Sequence, residues 1–244
     1  MSGGPKADAP PDLSIVVCTR DPAGSAAHER ALGARIGCTY EYVAIDHSAG
    51  RRGLCAAYNE GVRRSRGAYL AFVHDDVRIE TAGWGRLLLD KFRCRPDVGL
   101  IGAIGTRYLS RFPQWDRAGP RFIRGRVRIE LADGAVHLAG SRSPDGDDDV
   151  VAVDGMFFVI PRPIFGRVRF DQDLFDGFHF YDLDICMQVA TTHRLQVTTD
   201  ITFWHDAGSR WDDSWFTAAA FFAKKWAARL PASCDTSLPE PERR

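Results

Sequence analysis

AYLAFVHDDV, residues 68–77, is the stretch of this chain that decides its fold. Its first six residues are apolar or aromatic, which is typical of a strand buried on both faces of a parallel sheet. His74, Asp75 and Asp76 follow at the carboxyl end of that strand, where open α/β sheets bind their ligands. Adjacent carboxylates repel each other unless a cation neutralises them, and oxygen ligands suit Mg²⁺ or Mn²⁺. The alternative is a strand that stops in a polar turn, with an aspartate capping the next helix.

Length and composition are those of one sizeable globular domain. The chain has 244 residues, of which 45% are hydrophobic, enough for one substantial core. Because 32 basic and 32 acidic side chains cancel, no global field draws the chain to nucleic acid or acidic lipid. No apolar run approaches the roughly 20 residues of a membrane span. The six cysteines form no CxxC pair, which indicates reduced thiols and a cytoplasmic protein.

The two ends of the chain differ in composition from the rest. Residues 1–12 are rich in Pro and Gly and contain no apolar segment of the signal-peptide kind, which predicts a disordered lead. Residues 231–244 are polar and charged, which predicts a loose tail. We therefore expect a single folded domain over residues 13–230.

The first hundred residues alternate between two kinds of pattern. Strands are predicted at residues 13–17, 40–45, 68–73 and 98–104, and helices at 25–36, 55–65 and 82–92. This alternation predicts an α/β fold with a mostly parallel, doubly wound sheet flanked by helices. The first three strands each end in polar residues, so three polar strand ends are expected to meet at one edge of the sheet.

The second half of the chain changes character. Asp133-Gly134 lies between two short strand patterns, at residues 126–131 and 135–139, and this predicts a hairpin. An apolar run at residues 150–160 contains Asp154-Gly155. Further along, helices are predicted at residues 181–191 and 214–230, and a strand at 196–203.

Six segments, taken in their order along the chain, resemble motifs of the family 2 glycosyltransferases, and in particular the glycosyltransferase-like branch. They are SIVVCTRD (14–21), YVAID (42–46), AAYNEGVRRSRGAYLAFVHDDV (56–77), VDGMFFVIPR (153–162), FDGFHFYDLDICMQ (175–188) and TFWHDAGS (202–209). No single segment is specific, but their common order is. The resemblance covers nearly the whole chain and implies the GT-A fold, with a nucleotide-binding half at residues 13–105 and an acceptor-side half at 106–230.

Two positions depart from the family pattern. The family's DxD motif falls on residues 74–76, so His74 replaces its first Asp, whereas Asp76 keeps the position expected to touch the metal. The family's Glu-Asp pair falls on residues 181–182, so Tyr181 replaces the Glu and Asp182 keeps the position of the Asp.

The resemblance implies an enzyme that transfers a hexosyl or pentosyl group with inversion, as in polysaccharide biosynthesis. The donor would be a nucleotide-diphosphate sugar, with UDP as the first choice, and the acceptor a saccharide or a lipid-linked molecule. Mn²⁺ or Mg²⁺ would neutralise the diphosphate leaving group. No nucleic-acid partner is expected. Peripheral association with a membrane and the oligomeric state stay open.

The resemblance and the chemistry of the side chains together assign the roles. Asp182 is the predicted general base. The predicted metal ligands are Asp76 and His205, with Asp75 as a third candidate. The predicted nucleotide contacts are Thr19, Arg20, Asp46, Arg51, Asn59 and Asp75. The predicted acceptor or sugar contacts are Asp154, Gly155, His179, Tyr181 and Trp204.

Several of these residues have a purely structural alternative. Asp182 could cap the helix that it begins, and the helix dipole would then lower its pKa and weaken it as a base. Asn59 could bond to a neighbouring loop from the middle of its helix, and Asp154-Gly155 could form a strand bulge. Trp204 could be a core residue, with His205 hydrogen-bonded beside it.

Two other functions compete with sugar transfer. Because acids are missing at residues 74 and 181, a non-catalytic module that binds nucleotide sugars or glycans is one alternative. A nucleotidyltransferase is the other, but such enzymes use a Gly-rich loop after the first strand, and CTRDPAGS (18–25) has a single Gly.

Overall fold

A computed structural model describes residues 9–50, 53–130, 134–141, 146–206 and 212–234. The helices within these ranges are α1 (Ser25–Gly33), α2 (Leu54–Arg64), α3 (Trp84–Cys94), α4 (Tyr181–Val189) and α5 (Asp213–Lys225). The strands of the central sheet are β1 (Leu13–Thr19), β2 (Tyr40–Asp46), β3 (Tyr69–His74), β5 (Val98–Gly102), β11 (Asp148–Val150), β13 (Phe157–Pro161) and β14 (Arg194–Val197). The other strands are β4 (Arg78–Ile79), β6 (Ile104–Thr106), β7 (Tyr108–Leu109), β8 (Ile123–Gly125), β9 (Val127–Glu130), β10 (Val136–Ala139), β12 (Ala152–Val153), β15 (Phe203–Asp206) and β16 (Ala232–Ser233).

The central sheet has the strand order β11-β14-β5-β13-β3-β1-β2. β2, β1 and β3 are parallel neighbours, and β5 and β14 are also parallel to each other. β13 runs antiparallel between β3 and β5, and β11 runs antiparallel at the edge. The predicted α/β fold with a mostly parallel central sheet is therefore confirmed.

Both faces of the sheet are covered, which explains the uninterrupted apolar runs of its inner strands. Phe72 of β3 and Val16 of β1 pack on one face with Tyr58 of α2, whose ring centre lies 4.9 Å from that of Phe72. The alternate residues, such as Ala71, pack on the other face with Trp84 of α3. Because β3 is packed on both faces, the position of its carboxyl end, and so of residues 74–76, is well fixed.

A smaller sheet brings a distant strand to the carboxyl end of β3. Its strand order is β10-β9-β15-β4, and β9 and β10 form the predicted antiparallel pair. β4 begins directly after residues 74–77 and pairs with β15, with Ile79 opposite Phe203. This pairing carries His205, two residues further along β15, toward the end of β3.

Two predicted strands are wrong because each is interrupted, and the apolar run at residues 150–160 is interrupted as well. Residues 196–203 form the end of β14 and the start of β15, since a turn separates them in which Asp200 N bonds to Thr198 Oγ1. Residues 98–104 divide between β5 and β6, which lie in different sheets. Residues 150–160 divide among β11, β12 and β13, because Asp154 Oδ1 accepts a hydrogen bond from Met156 N and turns the chain.

The ends of the chain and the predicted location are tested only in part. Residues 1–8 of the predicted lead and 235–244 of the predicted tail lie outside the described residues. All six cysteines are free thiols, as expected.

Among the described residues, no helix combines the length and the apolar character needed to cross a membrane. The cytoplasmic location and the division into two halves stay predictions.

Candidate active site

Two imidazoles and one carboxylate converge at the carboxyl end of β3. His205 Nε2 lies 3.4 Å from Asp76 Oδ1, and the rings of His74 and His205 are 5.7 Å apart between their centres. One potential ligand atom from each of the three residues lies within 4.8 Å of the other two. The structure thus brings together the two predicted metal ligands, Asp76 and His205, and adds His74.

The protonation states of these groups fit a divalent cation. Burial lowers the pKa of His74, which keeps its imidazole neutral at neutral pH and leaves a lone pair available. Burial alone would raise the pKa of Asp76, but the hydrogen bond and charge of His205 bring it below its usual range. Neutral imidazole together with carboxylate suits Mn²⁺ better than Mg²⁺, which prefers oxygen ligands.

Asp75, the third candidate ligand, is held away from this cluster. Thr19 Oγ1 donates a hydrogen bond of 2.6 Å to Asp75 Oδ2, so the side chain is tied to the end of β1. Thr19 is itself buried and its hydroxyl also accepts from Asp21 N. Asp75 is therefore placed beside the predicted nucleotide contacts rather than with His74 and Asp76.

The predicted meeting of three polar strand ends is confirmed. In the register of the sheet, Thr19 at the end of β1 stands opposite Asp46 at the end of β2, and Cys18 stands opposite His74 of β3. Arg20 is exposed next to them. Arg51 lies outside the described residues.

Asn59 is bonded to a neighbouring segment of the chain. Its amide nitrogen donates to Phe170 O over 2.8 Å and to Gln172 Oε1 over 2.9 Å, and its oxygen accepts from Phe170 N. Both ends of the amide are thus occupied by the segment before α4. The structure supports the loop-bonding alternative rather than the nucleotide contact.

Asp182 lies in the first turn of α4 and lines a cleft of about 570 Å³, which also contains His74, Asp76 and His205. Its Oδ2 accepts from Gly155 N over 3.0 Å, and its Oδ1 accepts from Leu183 N over 2.9 Å.

The pKa of Asp182 is shifted in the direction opposite to that expected for a helix cap. Burial, followed by the negative charge of Asp154, raises the pKa of Asp182 to about 7, although its backbone hydrogen bonds act the other way. The capping residue of α4 is Phe180, which has a φ of 66° and no side-chain capping bond. The structure therefore does not support the capping alternative for Asp182, because Phe180 holds the capping position.

Tyr181 and Gly155 are packed against each other beside His74. The Tyr181 hydroxyl lies 2.6 Å from His74 Nε2, and a Cβ added at Gly155 would overlap that hydroxyl. Both residues line the cleft, as do Asp154 and His179. Burial lowers the pKa of His179, whose Nε2 is 3.8 Å from Asp212 Oδ1. The structure thus gathers four of the five predicted acceptor contacts in one cleft.

Trp204, the fifth predicted acceptor or sugar contact, is the exception because it does not line the cleft. Successive side chains of a strand point to opposite sides, so Trp204 and its neighbour His205 diverge. The guanidinium carbons of Arg78 and Arg128 lie over the Trp204 ring, 5.1 Å and 5.3 Å from its centre. Trp204 is absent from the lining of the cleft.

Other aromatic residues form a wall of the cleft. Trp115, Phe178 and Trp215 line the cleft, and 53% of Phe178 is exposed to solvent. Trp115 and Phe178 were missed by the sequence reasoning. The available signal was an aromatic side chain in a segment with neither strand nor helix periodicity, where burial in a core is not the default explanation.

Comparison with known proteins agrees with this geometry. The chain matches the sequence profile of the glycosyltransferase-like family over residues 14–226. Its structure is similar to that of GalNAc-T7 crystallised with UDP, GalNAc and Mn²⁺, with a TM-score of 0.55 and 12% sequence identity. That match covers 86% of this chain and 46% of the other, so this chain spans about half of its length. It is also similar to A197 from STIV, with a TM-score of 0.48 and 10% identity over 83% of this chain and 86% of that chain.

No curated protein sequence matches the chain. At 12% identity, the likeness to GalNAc-T7 shows the fold alone, and that fold is GT-A. The profile match covers nearly the whole chain, including every residue that lines the cleft. This chain therefore belongs to the glycosyltransferase-like family.

Proposed function

We propose that this protein is a metal-dependent, inverting glycosyltransferase that moves a sugar from a UDP-linked donor to a hydroxyl of a saccharide or lipid-linked acceptor. The observation that carries the proposal is the cleft itself. It holds a carboxyl with a pKa of about 7, Asp182, together with the cluster of His74, Asp76 and His205. Base and metal ligands in one cavity match the two requirements of transfer from a nucleotide diphosphate.

The donor would lie along the three polar strand ends. Thr19, Asp46 and Asp75 are neighbours there, and their hydroxyl and carboxylate oxygens suit contacts to a base and a ribose. This edge is continuous with the metal-ligand cluster, because His74 is the last residue of β3 and Asp75 follows it. The UDP and Mn²⁺ in the similar structure of GalNAc-T7 support a nucleotide donor of this kind.

The cation site would be formed by His74, Asp76 and His205. A divalent cation held there supplies positive charge for the diphosphate leaving group. The two imidazoles favour Mn²⁺ over Mg²⁺ as the resident ion.

Asp182 would act on the acceptor. A base is most effective when its pKa lies near the working pH, and a pKa of about 7 meets that condition. As the acceptor oxygen forms its bond to the anomeric carbon, its proton passes to Asp182, and the bond from that carbon to the diphosphate oxygen breaks. This single displacement needs no covalent nucleophile and inverts the configuration at the anomeric carbon.

The aromatic wall would receive the acceptor. Trp115, Phe178 and Trp215 line the same cleft as Asp182, and sugar rings and apolar aglycones both pack against aromatic side chains. Asp154, which also lines the cleft, can accept hydrogen bonds from sugar hydroxyls. The wall supports a saccharide or lipid-linked acceptor without selecting between them.

One observation favours a second candidate, a non-catalytic module that binds nucleotide sugars. His74 and Tyr181 stand where the related pattern has acids, and they bond to each other. Such a module would retain metal-dependent nucleotide binding and lack turnover.

A thermal-shift screen of nucleotide sugars with and without MnCl₂, followed by assays of nucleotide release, tests the proposal. A ligand at 100 times its dissociation constant adds about 2.7 kcal/mol of stability, which gives a readily measured shift. We expect a UDP-sugar to stabilise the protein only when Mn²⁺ is present, and UDP to be released when an acceptor is added. Stabilisation without release or sugar hydrolysis would instead support the module. Pyrophosphate release from a nucleoside triphosphate and a sugar phosphate would support a nucleotidyltransferase.

A further inference from the structure

His74 and Tyr181, the two positions at which the chain departs from its family's pattern, are bonded to each other. The Tyr181 oxygen is 2.6 Å from His74 Nε2, a short hydrogen bond between residues of β3 and α4. In the family pattern both positions carry acids, which would repel each other at this distance. A neutral imidazole and a phenol replace that repulsion with an attraction.

The bond has a consequence for metal binding, because a neutral imidazole carries one proton and one lone pair on its two nitrogens. A histidine that ligates a metal commonly donates its other ring N–H to a fixed acceptor, which sets both the tautomer and the ring orientation. Tyr181 lies where such an acceptor would be. We propose that Tyr181 is a positioning residue that holds the proton of His74 on Nε2 and leaves Nδ1 as the nitrogen that binds the cation.

Tyr181 is well fixed for this role. Only 4% of the residue is exposed, and its ring packs edge-on against Tyr58, with 5.5 Å between the ring centres. Gly155 contacts the hydroxyl so closely that a methyl group there would displace it. The hydroxyl therefore has little freedom to turn away from His74.

The same contacts connect the cation site to the base. Gly155 leaves no room for a Cβ beside the Tyr181 hydroxyl, and its N–H donates to Asp182 Oδ2. Tyr181 and Asp182 are consecutive residues at the start of α4. One rigid unit thus sets the positions of the His74 ring and the Asp182 carboxyl.

The inference rests on the proposed metal dependence, but it is tested first without metal. Two-bond ¹H–¹⁵N NMR spectra of histidine-labelled protein report the His74 tautomer. We expect the Nε2–H form in the wild-type protein and a loss of that preference in Tyr181→Phe. An Nδ1–H form in the wild-type protein would overturn the inference.

Calorimetric titration with MnCl₂ is the second test. Tyr181→Phe keeps the buried ring, so we expect it to fold and to bind Mn²⁺ about 10- to 100-fold more weakly. Tyr58→Phe is the matched control, because the buried Tyr58 hydroxyl has no hydrogen-bond partner among the described residues. Equal weakening by both variants, or none by Tyr181→Phe, would overturn the inference. Failure of the proposed function looks different, because wild-type protein would then bind no Mn²⁺ while His74 kept the expected tautomer.

Discussion

His205 Nε2 lies 3.4 Å from Asp76 Oδ1, a contact that joins β15 to the loop after β3. The contact depends on the pairing of β15 with β4, in which Trp204 stands opposite Arg78. The late segment with His205 therefore completes a site that the third strand begins.

Replacement of His205 should reduce metal binding. We expect His205→Ala to lower the affinity for Mn²⁺ on the order of 100-fold or more, since it removes a ligand outright and loss of an outer partner already costs 10- to 100-fold. The measurement is calorimetric titration with MnCl₂. His137→Ala is the control, because His137 is exposed on β10. If His205→Ala binds Mn²⁺ with the wild-type affinity, His205 is not a metal ligand.

Asp154 should tune the pH at which transfer begins. Its negative charge helps to raise the pKa of Asp182, so Asp154→Asn should lower that pKa. The acid limb of the transfer rate against pH should then move below its wild-type position near 7. Asp173→Asn, which changes an exposed carboxylate paired with Arg169, should leave the limb in place. A limb that stays unmoved in Asp154→Asn would contradict this coupling.

Asp182 should also leave a signature in protein stability. Because the pKa of Asp182 is about 7 in the folded protein, against 3.8 for an ordinary aspartate, the folded state binds a proton more tightly than the unfolded state does. The stability of the wild-type protein relative to Asp182→Asn should therefore rise as the pH falls from above 7 toward about 4.

The measurement is the free energy of urea unfolding of both proteins at several pH values, because the other titrating groups cancel in the difference. A difference that stays constant across this range would show that Asp182 titrates normally.

Asp184 is predicted to stabilise the fold rather than to act in the cleft. It is 1% exposed and bonds to Trp226 Nε1 over 2.8 Å and to Lys225 Nζ over 2.7 Å, which fixes the end of α5 onto α4. Asp184→Ala leaves the Trp226 indole N–H without its acceptor, while Lys225 keeps Asp171 as a partner, so the free energy of unfolding should fall by about 2 kcal/mol. Asp173→Ala should change it by less than about 1 kcal/mol, because both partners of that pair are exposed. Similar values for the two variants in urea unfolding would contradict the role of Asp184.

Apolar runs in the sequence were the most reliable predictors of the buried strands. The run at residues 68–73 correctly predicted β3, because a strand buried on both faces leaves a clear pattern. Residues 196–203 were wrongly predicted as one strand. Apolar side chains lie on both sides of the turn at Thr198 and Asp200, so the sequence pattern does not show that β14 and β15 belong to different sheets. Strand breaks made by polar turns inside apolar runs are therefore the weak point of such reasoning.

The sequence indicated where the candidate site residues lie in the fold, but not which side chains surround them. The pairing of His74 with Tyr181 joins residues far apart in the chain, and periodicity carries no information about such a contact. The sequence likewise could not show the raised pKa of Asp182, because that pKa depends on burial and on the charge of Asp154 rather than on the position of Asp182 in the helix. Trp204 and His205 are neighbours in sequence, yet their side chains point to opposite faces of β15.

The central claim is that Asp182 is the base for sugar transfer, and Asp182→Asn tests it most directly. The measurement is the rate of transfer from the UDP-sugar found in the binding screen, beside the dissociation constant of UDP with Mn²⁺. The substitution keeps the size of the side chain and leaves the metal ligands in place, so UDP binding should be unchanged. The transfer rate should fall by about 10²- to 10⁴-fold, the usual contribution of a positioned base. Transfer by Asp182→Asn at the wild-type rate would contradict the account.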